Sequence, residues 1–232
     1  MTTTLITGAS KGLGRETARR LIAQGHTVYL GMRDARQGRE LAEHLGGRPL
    51  LLDVLSEESV RAAAETVREQ AGCLDVLVNN AGVAGAGKSI GEVTAVDMQS
   101  VFDTNVFGVV RVMHAFLPLL EKSDNVPVIV NVSSGLGSLA LAGDPSRFEF
   151  SVPGLAYHSS KTALNMLTVQ YAKAYPDARI NAVDPGFTAT DMNGHQGTQT
   201  VETGAEIIVC LAMIGPEGPT GRFFHSTGPV PW

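Results

Sequence analysis

Thr3-Thr4-Leu5-Ile6-Thr7-Gly8-Ala9-Ser10-Lys11-Gly12-Leu13-Gly14 begins as a short apolar run, becomes a glycine-rich loop and opens the helix-like stretch Gly12 to Gln24. Strand, glycine turn and helix in that order are what a phosphate-cradling junction requires. Glycine permits positive φ and a close approach of backbone amides to an anion, and the positive end of the helix dipole faces the same point. The stretch therefore predicts an α/β fold with a ligand held beyond the carboxyl end of its first strand.

Working outward, the rest of the chain repeats the alternation. Short apolar runs predict strands at Thr3 to Thr7, Thr27 to Met32, Pro49 to Asp53, Val76 to Asn79, Val128 to Val132, Arg179 to Val183 and Arg222 to Phe224. Amphipathic stretches predict helices at Gly12 to Gln24, Asp34 to Leu45, Ser56 to Ala71, Thr94 to Lys122, Tyr157 to Ala174 and Thr203 to Ala212. Ser56 and Thr94, each ahead of acidic residues, read as N-caps. The expectation is a Rossmann-type, doubly wound α/β fold: a seven-stranded parallel sheet with helices on both faces, in a single domain over residues 1–232. Three long irregular segments, Gly82 to Gly91, Gly135 to Gly154 and Phe187 to Thr200, each follow a strand at its ligand-binding end.

Composition narrows the partners. With 44% hydrophobic and 18% charged residues and a net charge of −5, the chain reads as globular, with neither a nucleic acid nor an anionic membrane as its partner. Cys73 and Cys210 stand far apart without metal-ligand spacing, so neither a disulfide scaffold nor a metal site is expected. No window approaches the roughly 20 apolar residues of a membrane span, and no signal-like start is seen; the expectation is a cytoplasmic protein.

Further motifs follow in order: Leu52-Asp53-Val54, Asn79-Asn80-Ala81-Gly82, Asn105, Asn131-Val132-Ser133-Ser134, Tyr157-His158-Ser159-Ser160-Lys161 and Pro185-Gly186-Phe187-Thr188. Residues four apart on a helix share a face, so Tyr157 and Lys161 can address one ligand, and a cation beside a phenol favours the phenolate. With the spacing Gly8-x-x-x-Gly12-x-Gly14, these motifs resemble the short-chain dehydrogenase/reductase family along nearly the whole chain. Gly31-Met32-Arg33-Asp34 and Gly218 to Phe224 resemble, more softly, its single-domain NADPH-dependent carbonyl reductases.

The resemblance implies reversible reduction of a ketone or aldehyde by NADP(H), with NAD(H) the lesser alternative. It assigns Tyr157 as general acid/base, Lys161 as its partner and as a ribose ligand, and Asn105 as anchor of a proton-relay water. Ser134 orients the substrate oxygen, with Ser133 as the alternative. Cofactor contacts fall to Gly8, Ser10, Lys11, Gly12, Leu13, Gly14, Arg33, Asp53, Val54, Asn80, Ala81, Gly82, Tyr157, Lys161, Pro185, Gly186 and Thr188. Lys11 and Arg33 stand where NADP users carry cations for the 2′-phosphate, while the adjacent Asp34 could instead accept from a 2′-hydroxyl.

The substrate pocket would be built from Gly135 to Leu155, Phe187 to Thr200 and part of Gly82 to Gly91, largely apolar with few charges, which suits a small uncharged carbonyl compound. A 3-oxoacyl thioester reductase and a non-catalytic NADP-binding sensor are the alternatives. The segment Ala189 to Thr200 has the composition of a lid. The 22 residues between Ser134 and Tyr157 exceed what most of the family carries. The extra piece, Asp144 to Pro153, could wall the pocket or disturb subunit contacts, so a homo-oligomer is left open.

Overall fold

A computed structural model describes every residue from Met1 to Trp232. Strands β1 (Thr3–Thr7), β2 (Thr27–Met32), β3 (Arg48–Leu51), β4 (Val76–Asn79), β5 (Val128–Val132), β6 (Arg179–Val183) and β7 (Phe223–His225) are parallel, and a short β8 (Gly228–Pro229) runs antiparallel to β7. The order across the sheet is β3-β2-β1-β4-β5-β6-β7-β8. The predicted seven parallel strands are thus present, with an eighth that two residues could not announce.

Between them lie α1 (Gly12–Ala23), α2 (Ala35–Leu45), α3 (Glu57–Ala71), α4 (Ala95–Phe102), α5 (Gly108–Leu120), α6 (Leu139–Ala142), α7 (Phe148–Ser151), α8 (Ala156–Ala174) and α9 (Val201–Ala212). No helix is long and apolar enough to cross a membrane.

The strands read as continuous apolar runs because both sheet faces are covered. Neighbours in the pleat go opposite ways: Leu5, Leu77, Ile129 and Ile180 join the core under α3, α5 and α8, while Ile6, Val78, Val130 and Val183 join the core under α1, α2 and α9. Phe116 of α5 is wholly enclosed in the first core, and Leu21 of α1 in the second.

Several boundaries differ from the sequence expectation; α9, for one, begins at Val201 behind a Thr200 cap and not at Thr203. β3 starts at Arg48, paired with Tyr29, and Asp53 leaves the strand to accept from the Leu55 amide at 3.1 Å. β7 lies one residue later than Arg222 to Phe224. The single helix expected over Thr94 to Lys122 is interrupted: Asp103–Phe107 forms a π turn, in which the Gly108 amide reaches back to the Asp103 carbonyl, and Arg111 caps that carbonyl and its carboxylate. Gly108 packs so tightly that a Cβ there would lie 3.0 Å from Val54 Cγ2.

The caps read from sequence are formed. Ser56 accepts from Ser59 N, and Thr94 forms a reciprocal capping box with Asp97. Thr94→Ala should cost about 1 kcal/mol, seen as a lower urea midpoint with an unchanged slope.

Candidate active site

The loop after β1 is held open by its neighbours as well as by its own glycines. Gly8 (φ 65°) and Gly12 (φ 54°) occupy the left-handed region. Asn80, beyond β4, donates through Nδ2 to the carbonyls of Thr7 (2.9 Å) and Gly8 (3.0 Å), and Thr7 Oγ1 accepts from the amides of Asn80 and Ala81, both at 3.0 Å. The two motifs are thereby one structure. Lys11, at the N-cap of α1, makes no side-chain capping bond, which leaves the first-turn amides of the helix facing the loop.

A cavity of about 620 Å³ runs from this loop along the carboxyl ends of the strands. It is lined by Gly8, Ser10, Lys11, Gly12, Leu13, Arg33, Asp53, Val54, Asn80, Ala81, Gly82, Ser134, Tyr157, Lys161, Pro185, Gly186 and Thr188, all predicted from sequence. Gly14 and Asn105 do not line it. Gly14 lies beneath the loop, where a Cβ would meet Asn80 Nδ2 and the Gly8 carbonyl. Asn105, in the π turn, is buried; its Nδ2 donates to Val83 O at 2.9 Å and Ser160 Oγ at 3.0 Å, and its Oδ1 accepts from Val83 N at 2.9 Å. One amide hydrogen pins the loop after β4 and the other reaches α8.

At the adenosine end, Arg33 is exposed and without a partner, whereas Lys11 Nζ is paired with Asp191 Oδ2 at 2.6 Å. Asp34 caps α2 through bonds from the amides of Arg36 (2.8 Å) and Gln37 (3.0 Å). Those bonds, the Gln37 amide foremost, hold its carboxyl below the usual range. A carboxylate committed to its own helix is poorly placed to read a hydroxyl.

At the opposite end, α8 presents Tyr157 and Lys161. Lys161 Nζ lies 5.5 Å from the Tyr157 ring centroid and donates to Val132 O at 2.8 Å. Solvent reaches part of the Tyr157 ring through the cavity, but its hydroxyl is densely surrounded, and burial pushes the phenol up to about 12, against the lowering influence of the Ser134 hydroxyl. Burial likewise brings Lys161 down to about 8. Desolvation is the largest influence on the phenol; the Ser134 hydroxyl opposes it and the Asp184 carboxyl adds to it.

Ser133 and Ser134 are separated by the pleat. Ser133 continues the face of Asn131, turns toward α8 and donates to Asn165 Oδ1 at 2.6 Å. Both serines border the cavity, but the Ser133 hydroxyl is committed to Asn165, whereas the Ser134 hydroxyl makes no donor bond to α8.

The wall also departs from the apolar expectation. Asp184, Glu149 and His225 line it, and a Cβ on Gly135 would sit 2.9 Å from Asp184 Oδ2 and 3.0 Å from Glu149 Oε1. Burial raises the Asp184 carboxyl, opposed by the amides of Gly186 and Gly135. Glu149 comes from the Asp144 to Pro153 segment, which walls the cavity together with Phe148; that ring lies 6.4 Å from Phe187. These groups were missed because Asp184 and His225 arrive from two strands and Glu149 from an insertion, with no shared spacing to reveal them.

The Ala189 to Thr200 segment is folded on itself. Thr190 and Asn193 form a capping box, and Gln199 Nε2 donates to Thr188 Oγ1 at 2.9 Å. Thr188 therefore lines the cavity with its hydroxyl already bonded within its own loop.

The sequence profile described as short chain dehydrogenase matches residues 2–200. The chain belongs to the short-chain dehydrogenase family. A (+)-neomenthol dehydrogenase of Arabidopsis thaliana is 35% identical over 280 aligned positions, covering 95% of this chain and 94% of the relative. The NADPH-bound carbonyl reductase from chicken fatty liver superposes with a TM-score of 0.88 at 28% identity, covering 100% of this chain and 99% of that one. Salutaridine reductase from Papaver somniferum gives 0.84 at 29%, covering 97% and 100%. This short-chain dehydrogenase is accordingly an oxidoreductase, and its fold is that of its solved relatives.

Proposed function

We propose that this dehydrogenase reduces a small ketone or aldehyde to an alcohol with NADPH. The observation that carries the reading is the convergence of Ser134, Tyr157 and Lys161 at one end of a single cavity whose other end is the glycine loop and the unpaired Arg33. The cavity also fits the cofactor on chemical grounds, with an uncapped helix N-terminus for the pyrophosphate and a free guanidinium for a 2′-phosphate. Relatives named for acting on neomenthol or reducing isopiperitenone, and an NADPH-dependent pterin aldehyde reductase 37% identical over 195 positions, support the same class of reaction.

When bound, the nicotinamide supplies the hydride. Ser134 donates a hydrogen bond to the substrate oxygen and fixes its direction, and Tyr157 delivers its hydroxyl proton to that oxygen as negative charge develops there. A phenol held at about 12 stays protonated at neutral pH, which suits the acid of a reduction. The Lys161 ammonium, enclosed beside the ring, holds the cofactor ribose and favours charge on the phenol oxygen once the proton has left. Asn105 ties the loop that follows Gly82 to α8, through Val83 and Ser160. Two lone cysteines suit a reducing compartment such as the cytoplasm.

The test is a panel of aldehydes, aryl ketones, diketones and 3-oxoacyl thioesters, assayed by loss of absorbance with NADPH and NADH. NADPH binding without consumption across the panel would replace the reductase reading with a sensor. Cofactor choice has its own check: Arg33→Asp should weaken NADPH binding by roughly 10- to 100-fold, the worth of one charged hydrogen bond, and leave NADH nearly unaffected by calorimetry. Equal loss of both would remove Arg33 from the 2′-phosphate.

A further inference from the structure

Asn165 has no part in the chemistry above, yet its side chain ties the active-site serine segment to the helix that carries the acid. It is 4% exposed. Its Oδ1 accepts from Ser133 Oγ at 2.6 Å, and its Nδ2 donates to Gly137 O at 3.1 Å. Ser133 and Gly137 are the two ends of the segment that presents Ser134, so one amide grips both.

Tyr157, Lys161 and Asn165 follow one another at four-residue intervals on α8, on one helix face. The segment is also pressed against that face: a Cβ on Gly137 would lie 2.7 Å from the Lys161 carbonyl carbon and Cβ. The Ser134 hydroxyl accepts a 3.3 Å contact from the Leu136 amide, and Thr162 Oγ1 of α8 also donates to Gly137 O, at 3.0 Å.

We propose that Asn165 is a positioning residue, which sets the reach of Ser134 toward Tyr157 and the substrate oxygen by clamping both ends of the serine segment to α8. The proposal rests on the roles given to Ser134 and Tyr157 above. Its energetic logic is that of preorganisation: the cost of holding the serine is met in folding, where two buried hydrogen bonds are made, and not during the reaction. An ordinary buried asparagine would stabilise the fold without touching the phenol.

The Tyr157 phenol separates the two. Its titration is followed by NMR of ring-labelled tyrosine in NADP⁺-loaded enzyme, alongside kcat, KM and the melting temperature. Ser134→Ala should raise the apparent pKa of Tyr157. Asn165→Leu should raise it in the same direction and lower kcat by about tenfold, since small misplacements at a reacting centre are costly. In the double variant the shift should be no larger than in Ser134→Ala alone. Ser133→Ala, which releases only one end of the clamp and keeps the core volume, should give a smaller shift of the same sign and serves if Asn165→Leu folds poorly.

A titration unmoved by Asn165→Leu or Ser133→Ala, or shifts that add to those of Ser134→Ala, would overturn the clamp. If the titrations behave as expected while no carbonyl compound is reduced, the clamp stands and the reductase reading falls.

Discussion

Tyr157→Phe should lower kcat for carbonyl reduction by roughly 10²- to 10⁴-fold while NADPH binding persists. The change removes one oxygen from the cavity wall and leaves the ring, so α8 and the Lys161 bond to Val132 O are kept. Stopped-flow single turnovers separate the effects: the loss should sit in the chemical step, and fluorescence of bound NADPH should be unchanged. A variant retaining near-normal turnover would place the acid elsewhere, with Asp184 and His225 the next proton donors on the wall.

The pH profile of the wild type has a defined sign. The phenol stays protonated up to about 12, whereas Lys161 loses its charge near 8. Reduction should therefore be flat through neutrality and decline above about pH 8, because the first group to change is the lysine that stabilises the departing proton's oxygen. A flat profile through pH 10 would remove Lys161 from the chemical step.

Gly14→Ala should destabilise the fold and the cofactor loop together. The added carbon would fall on Asn80 Nδ2 and 2.5 Å from the Gly8 carbonyl oxygen, so either α1 moves off the sheet or Asn80 leaves its bonds to Thr7 and Gly8. Overpacking of this kind costs about 1–3 kcal/mol, and each lost hydrogen bond about 1 more. For a chain of this size each kcal/mol is worth about 2–4 °C, so the melting temperature should fall by on the order of 10 °C and NADPH should fail to protect the protein. Gly91→Ala, where a Cβ meets nothing within 4 Å, is the matched control and should change neither.

The contrast between those two glycines shows what was legible in the chain. The glycine loop, Asn80, the Tyr157/Lys161 pair and the strand runs could be read because each is written in local spacing. The pairing of Ser133 with Asn131 follows period-two alternation: both share one face of the pleat and meet α8 through Asn165 and Thr168. The acidic wall was not legible, since Glu149 and Asp184 meet only when the insertion folds back over β6. Nor was the π turn at Asp103–Phe107, which leads into Gly108 packed against Val54, a contact with no sequence period.

The two outer strands bear on behaviour at high concentration. β3 opens Arg48-Pro49 and β8 is Gly228-Pro229, so each margin of the sheet carries a proline that offers no amide hydrogen, and Arg48 adds a charge to one of them. An unpaired strand from a second molecule finds no continuous ladder to extend at either side. The eight-stranded sheet thus has a break in the hydrogen-bonding edge at both of its margins, although it is not closed into a barrel.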